Sequence, residues 1–375
     1  MRTYDPYTQM LQHALGTLRL EKTRVHKGLC VLPLTSTAEC SAKYVLLETA
    51  VARGTLTVTE VDEAGSVPYL AAVNKGPWPV LIFDGEELQG AKQNRICNAT
   101  ILVGVGKSVL PVSCVEQGRW SSKSQAFSVG MYAAHPSLRM KKEFSVRRHA
   151  AMSAVASRTG GHEHAQGRTG GPAAPASGFE SQQERAARYG GAQAEVWDEV
   201  AESIHRLGVR SGTMALADNY ESRGGDVDEY VKALCPDDDE ALAGMVGVAV
   251  FVNGRLACLD LLQPPKRFRQ LYPKLLRGYA LEALFSVSPW ASADMSSEQE
   301  RPTHPDLRSA ARPSDFDPEA ITLRLYDELK EARLQTQTAV DLGQDLRLEG
   351  RTVLGAGLAW NQDIIQLSLF PKKAA

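Results

Sequence analysis

The sequence predicts an α+β fold: an antiparallel, β-rich sandwich or open barrel core with flanking helices. Three observations carry this reading. Short apolar or alternating segments crowd the first 120 residues with no helical pattern between most of them. An apolar stripe at helical spacing follows near Val196. An Asn253-Gly254 pair stands between two further apolar runs, the preferred two-residue hairpin turn.

The elements are expected in this order. Residues 18–20 and 29–34 are short strands separated by His26, Lys27 and Gly28. Residues 54–61 alternate and are rich in β-branched side chains, which favour a half-buried pleated surface. Residues 80–83 form a continuous apolar run that ends in Asp84-Gly85, a turn signal. Residues 96–103 and 109–115 complete the first set. A helix is expected over 144–156. Residues 158–178 are rich in Gly, Pro, Ala, Ser and His and read as a disordered, dispensable insertion. Helical patterning resumes near Gln182, and Val196, Val200, Ile204 and Leu207 give one helix an apolar face that Gly208 terminates. Residues 226–234 read as a short helix, 246–252 and 256–261 as the hairpin, and 268–285 as a helix carrying Pro273. Residues 286–318 read as a second flexible loop, and 333–340, 351–360 and 364–370 as strands. The expected organisation is a β-rich part at 1–157, a low-complexity insertion at 158–190, and an α+β part at 191–375 packed with the first into one domain.

Composition narrows the function classes. Hydrophobic content of 43% and charged content of 23% are those of an ordinary globular protein. A net charge of −2 disfavours a nucleic-acid partner. The N-terminus lacks the pattern of a signal peptide, and no run is long and apolar enough for a membrane helix. Cys30, Cys40, Cys97, Cys114, Cys235 and Cys258 form no CxxC pair and no zinc spacing, so they read as reduced thiols and the expected location is the cytoplasm. P-loop, Rossmann and GxSxG motifs are absent, which disfavours the common NTPases, dehydrogenases and α/β-hydrolases.

The segment 84–120, DGEELQGAKQNRICNATILVGVGKSVLPVSCVEQGRW, is the expected site. It sets dense charge beside strand-like apolar runs. Along 109–116, Leu110, Val112, Cys114 and Glu116 share one strand face, so Glu116 is carried inward and needs a cation, for which Lys92 and Arg119 are candidates. Asp84, Glu86 and Glu87 follow a buried strand, where metal ligands and general acids are often held. Carboxylates alone would suit Mg²⁺ or Mn²⁺, although three acids in a turn are also what a solvated loop looks like. Glu86, Glu87 and Glu116 are the candidate catalytic residues. Lys92, Gln93, Asn94, Arg95 and Arg119 offer donors suited to phosphate, base or sugar, and Trp120 could stack on a base or sit in the core. Asp84 joins this ligand-binding set. Cys114 is read as core packing rather than as a nucleophile, and His162-Glu163-His164 as too loosely placed to hold a metal. The cofactor is unassigned, with Mg²⁺ a candidate.

DGEELQGAKQNR, PVSCVEQGRW, Gly54-Thr55-Leu56 with Val58-Thr59-Glu60, and VGVAVFVNGRLACLDLL together resemble a bacterial family. It is the domain family named for association with ADP-ribosylglycohydrolases and rhodanese-phosphatase-superfamily proteins. The resemblance extends through Val196-Trp197, Ser211-Gly212-Thr213 and the 274–280 helix, so it covers nearly the whole chain outside the two low-complexity loops. It implies a place in pathways that handle NAD-derived ADP-ribose, and carries over no catalytic residues. Two functions are therefore expected as alternatives. One is a protein that binds or processes an ADP-ribose-like, nucleotide-derived ligand. The other is a non-catalytic module whose same surface docks a protein partner of such enzymes.

Overall fold

The computed structural model of the chain describes residues 5–62, 67–159, 180–235, 243–286 and 316–372. It opens with helix α1 (Pro6–Gly16) and strands β1 (Leu18–Leu20), β2 (Arg24–His26), β3 (Leu29–Ser36) and β4 (Val45–Leu46). Helix α2 (Leu47–Ala52) leads into β5 (Leu56–Glu60), β6 (Tyr69–Asn74), β7 (Val80–Ile82), β8 (Glu86–Gly90), β9 (Arg95–Cys97), β10 (Ile101–Val103), β11 (Gly106–Cys114) and β12 (Phe127–Ala133). Helices α3 (Pro136–Thr159), α4 (Gln182–Ala187), α5 (Gln193–Leu207), α6 (Leu216–Ser222) and α7 (Gly224–Leu234) follow. The chain then forms β13 (Met245–Val252), β14 (Arg255–Leu262), α8 (Pro265–Phe285), α9 (Pro318–Glu331), β15 (Arg333–Thr338), β16 (Gln344–Glu349), β17 (Val353–Trp360) and β18 (Asp363–Pro371). The fold is α+β, as the alternation predicted.

One sheet has six antiparallel strands in the order β12-β8-β9-β11-β6-β5. A bridge between Thr59 and Ala126 brings its two edges together, so the sheet curls towards a barrel. By strand alternation one face carries Val58, Leu70, Leu88, Leu110 and Val112, all buried in one core. Val196, Val200, Ile204 and Leu207 of α5 belong to the same core, and Gly208 caps that helix at φ +62°. The second sheet has nine strands, with β3 paired to β13 and the order running on through β14, β18, β17 and β16 to β15. Val248 and Val250 pack with α8 on one side, whereas Ala249 and Phe251 pack with α1 and α9 on the other. The hairpin turn is as expected, with Asn253 at φ +49° and Gly254 at +75°, the two positive values of a type I′ turn.

Helix α8 lies close against the end of β12. A Cβ on Gly278 would stand 2.8 Å from the Ala133 carbonyl oxygen. That oxygen is fixed, since it also accepts from the Tyr220 hydroxyl at 2.8 Å. Gly278→Ala is therefore expected to destabilise the protein by about 1–3 kcal/mol through overpacking. Thermal unfolding would check it, and an unchanged midpoint would show that α8 can shift freely.

Several expectations need correction. The run 96–103 is two strands: β9 belongs to the six-stranded sheet, and β10 to a separate three-stranded sheet of order β10-β7-β4. Asn98 breaks it, donating to the Tyr189 carbonyl and accepting from the Ser113 hydroxyl, each at 2.9 Å. The helix expected to start at Phe144 begins at Pro136. Its first turns bury Arg139, Lys142 and Glu143, charged residues that an apolar pattern cannot register. Helix α8 carries Pro273 as expected but starts three residues earlier, at Pro265. The flexible insertion does not extend to 190: Ser181 caps α4 through a capping box, and Ala186 and Tyr189 are buried. Residues 160–179 and 287–315, on which the other flexible-loop expectations and the His162-Glu163-His164 reading rest, lie outside the described residues. Helices α1, α2, α6 and α9 and strands β2, β4, β6, β8, β12 and β16 have no counterpart in the sequence reading. All six cysteines are free thiols, and among the described residues no helix is long and apolar enough to cross a membrane.

Candidate functional site

Strand register decides which motif residues can meet. Glu87 lies opposite Ile96 and Leu88 opposite Arg95 across β8 and β9, and Arg95 lies opposite Cys114 across β9 and β11. Paired residues share a face and neighbours alternate. Glu86, Arg95 and Cys114 therefore take one face of the sheet, and Glu87 and Ser113 the other. The same rule adds Glu60 to the Arg95 face, in line with Leu56 and Val58 on β5.

On the first face, Arg95 is fully buried. Its Nη1 donates to the Gln93 Oε1 at 2.9 Å and to the Cys114 Sγ at 2.8 Å. Its Nε and Nη2 have no hydrogen-bond partner, and the nearest carboxylate oxygen, on Glu60, is 3.9 Å from Nη2. Glu60 Oε2 is likewise buried and unbonded. Trp120 lies over this end of the barrel. Its ring centroid is 5.7 Å from the Arg95 guanidinium carbon and 5.5 Å from the Lys92 Nζ, and the residue is 50% exposed, which places it outside the core. Burial pushes the Cys114 thiol up to about 11 against the pull of Arg95, which favours the protonated form at neutral pH.

On the other face, Glu87 is fully buried. Burial pushes its carboxyl up to about 7, opposed by hydrogen bonds from Tyr132 and Gln89 and reinforced by the nearby charge of Glu116. Gln89 Nε2 donates to the Glu87 Oε2 at 2.8 Å, whereas Oε1 has no partner. The Tyr132 ring stacks on Tyr220 with centroids 3.5 Å apart.

Between the two faces, a turn is built on Glu116 and Arg119. Arg119 Nε and Nη2 fork onto the Glu116 carboxylate at 2.7 and 2.5 Å. The same guanidinium donates to the carbonyls of Ala91 at 2.7 Å and Ser121 at 2.8 Å, and to Asn94 Oδ1 at 3.3 Å. The Asn94 amide donates to Glu116 Oε2 at 3.2 Å and the Thr213 hydroxyl to Oε1 at 3.2 Å. Burial works against the Glu116 charge, but Arg119 holds the carboxyl below its usual range. Protein acceptors thus engage the Arg119 guanidinium, and its role is to hold the 90–94 and 116–121 turns that present Arg95 and Trp120.

Two motif residues go elsewhere. Glu86 accepts from Lys274 Nζ and from the Phe83 amide, both at 2.8 Å. Asp84 is engaged by Lys142 and, at 3.3 Å, by Arg139 Nε. Arg139 then forks onto Asp260 at 2.8 and 2.8 Å, and Asp260 also accepts from Tyr279 and Ser368, each at 2.6 Å. Asp84, Glu86 and Glu87 therefore face three different sets of partners and do not form a common Mg²⁺ site. Among the described residues no group of three or more His, Cys, Asp or Glu is arranged to hold a metal ion. Glu60, Gln89 and Tyr132 were not foreseen as site residues. Glu60 was within reach, because the alternation that carries Glu116 inward applies equally to Leu56, Val58 and Glu60.

A groove of about 610 Å³ lies away from these residues, between α3 and the face of β15 and β16.

The model of the family described as the ARG and Rhodanese-Phosphatase-superfamily-associated Protein domain (ARPP-1) matches residues 17–370. No curated protein and no solved structure matches the chain.

Proposed function

The chain belongs to the ARG and Rhodanese-Phosphatase-superfamily-associated Protein domain family, and from that membership and the Arg95 end of the barrel we propose that it binds an ADP-ribose-like or other NAD-derived nucleotide. The observation that carries the proposal is the buried Arg95 guanidinium with two unbonded nitrogens. An unpartnered buried donor is costly, more so when charged, and a phosphate or carboxylate oxygen would satisfy it. Lys92 would add a second positive charge, and Trp120 offers an aromatic face on which a base can stack. Gln93 and Cys114 hold Arg95 in place, and the Glu116–Arg119 pair positions the loop that carries Trp120. Of the three candidate catalytic carboxylates, Glu86 and Glu116 are paired with cations, and Glu87 is enclosed on the opposite face from Arg95. The proposed activity is therefore binding, with the bound nucleotide presented to an ADP-ribose-handling partner, and the proposed location is the cytoplasm.

Calorimetric titration with ADP-ribose, NAD and AMP tests this. The wild-type protein is expected to bind at least one of them. Arg95→Ala is expected to weaken binding roughly ten- to hundredfold, the range of one or two charge-assisted hydrogen bonds. Because Arg95 is buried, the exposed Trp120→Ala is the companion variant and is expected to fold normally and bind at least tenfold more weakly. Unchanged affinity in both variants would remove the ligand from this end of the barrel. A folded wild-type protein that binds none of the three would favour a module that docks a protein partner instead.

A further inference from the structure

The groove between α3 and the second sheet has a charge arrangement that the barrel-end site does not use. Arg147 and Arg148 project from α3, Arg188 follows α4, Arg347 lies on β16 and Lys372 follows β18, and all five line the groove. Glu349 is the one carboxylate among the lining residues. The overall charge is −2, so a basic composition does not explain this gathering.

The counter-ions sit behind the walls or at the rim. Glu143 is buried and takes both Arg347, at 2.6 Å, and Arg147, at 2.7 Å. Asp345, also buried, takes Arg347 Nε at 2.8 Å. Arg148 pairs with Glu195, and Arg188 with Glu180, outside the lining. Lys372 pairs with Glu349 at 3.1 Å. The lining thus carries five cationic side chains and one carboxylate, although the ion pairs balance. The pairs also fix the donors in advance. Arg347 is held by two carboxylates and stacks on Tyr189 at 5.0 Å. Gln335 on β15 adds a neutral donor to the same wall, whereas Gln337 Nε2 donates to Asp345 at 2.8 Å.

We propose that this groove is a second anion site, for a small molecule carrying two or more linked phosphates. The volume of about 610 Å³ is that of a small-molecule site. The cations stand on both walls, on α3 and on the sheet, so a ligand with charge at two points can bridge them where a single phosphate reaches one wall. Linked phosphates could come from a nucleotide or from inorganic polyphosphate, and the two sources are separable.

The full-length protein would be titrated calorimetrically with inorganic tripolyphosphate, with ADP and with orthophosphate. Tripolyphosphate is expected to bind at least tenfold more tightly than orthophosphate, with an affinity that falls as salt rises. Loss of ADP affinity in the groove variants would assign the groove to nucleotides, and loss of tripolyphosphate affinity alone to inorganic polyphosphate. The double variant Arg148→Gln, Arg188→Gln is expected to lose at least tenfold in tripolyphosphate affinity. Lys372→Gln at the end of β18 is the companion if the double variant fails to fold, with a several-fold loss expected. Absence of tripolyphosphate binding to the folded wild type would overturn the proposal, as would equal affinity in the folded groove variants. Failure here leaves the Arg95 site standing, because the two sites are tested by different variants and different ligands.

Discussion

Replacing Arg139 with methionine is expected to cost about 3–5 kcal/mol of folding stability, the size of effect seen when one partner of a buried ion pair is removed. Asp260 is fully buried, and burial works against its charge, but Arg139 holds its carboxyl below the usual range. Without the guanidinium, Asp260 retains only Tyr279, Ser368 and a long Cys258 contact at 3.5 Å, and Asp84 retains Lys142. The same change cuts the tie between the end of β7, helix α3 and strands β14 and β18. Urea unfolding would measure the loss. The double variant Arg139→Met, Asp260→Leu should recover much of it, since a buried pair replaced by apolar side chains is often close to neutral. A single variant within 1 kcal/mol of wild type would mean that water already solvates this network.

Glu87→Gln is expected to stabilise the protein at neutral pH and to flatten part of its pH dependence. The folded Glu87 titrates at about 7, above its ordinary value of 4.5. Below about pH 4.5 both folded and unfolded chains hold the proton, and this residue carries no penalty. Between about 4.5 and 7 the unfolded chain releases its proton while the folded chain retains it, so stability falls as pH rises. Above 7 the folded chain releases it too, and the full penalty of about 3 kcal/mol persists. Uncoupled acidic groups held low, such as Asp260, contribute in the opposite direction, but they are common to both proteins and cancel in the difference. The stability of Glu87→Gln minus that of wild type should therefore grow by up to about 3 kcal/mol between pH 4.5 and 8. A difference that is flat over this interval would show that Glu87 is ionised in the fold and solvated.

Much of the β architecture was legible because alternation and turn chemistry are local. The 54–61 strand, the 109–115 strand and the Asn253-Gly254 hairpin each announce themselves within ten residues. The first turns of α3 did not, because their inner face is charged: Arg139, Lys142 and Glu143 are buried by ion pairs with distant partners such as Asp260 and Arg347. The 96–103 run hid a change of sheet, since apolar content is the same on both sides of Asn98. Within the charged stretch, Asn94, Glu116 and Arg119 do meet. Consecutive Glu86 and Glu87 could not share a pocket, because neighbouring strand residues face opposite ways. The partners that separate them, Lys274 on α8 and Tyr132 on β12, lie 188 residues away in one case and 45 or so in the other. No local pattern links such positions.

The central claim is that a nucleotide occupies the end of the barrel, beneath Trp120 and against Arg95. Fluorine NMR of protein labelled with 5-fluorotryptophan tests it most directly. The chain has five tryptophans, and Trp120→Phe identifies the resonance of interest. Titration with ADP-ribose should shift and broaden the Trp120 signal saturably, leave the signals of Trp197 and Trp360 unmoved, and need at least tenfold more ligand in Arg95→Ala. A saturable shift confined to other tryptophans, or no shift at millimolar ligand, would contradict the account.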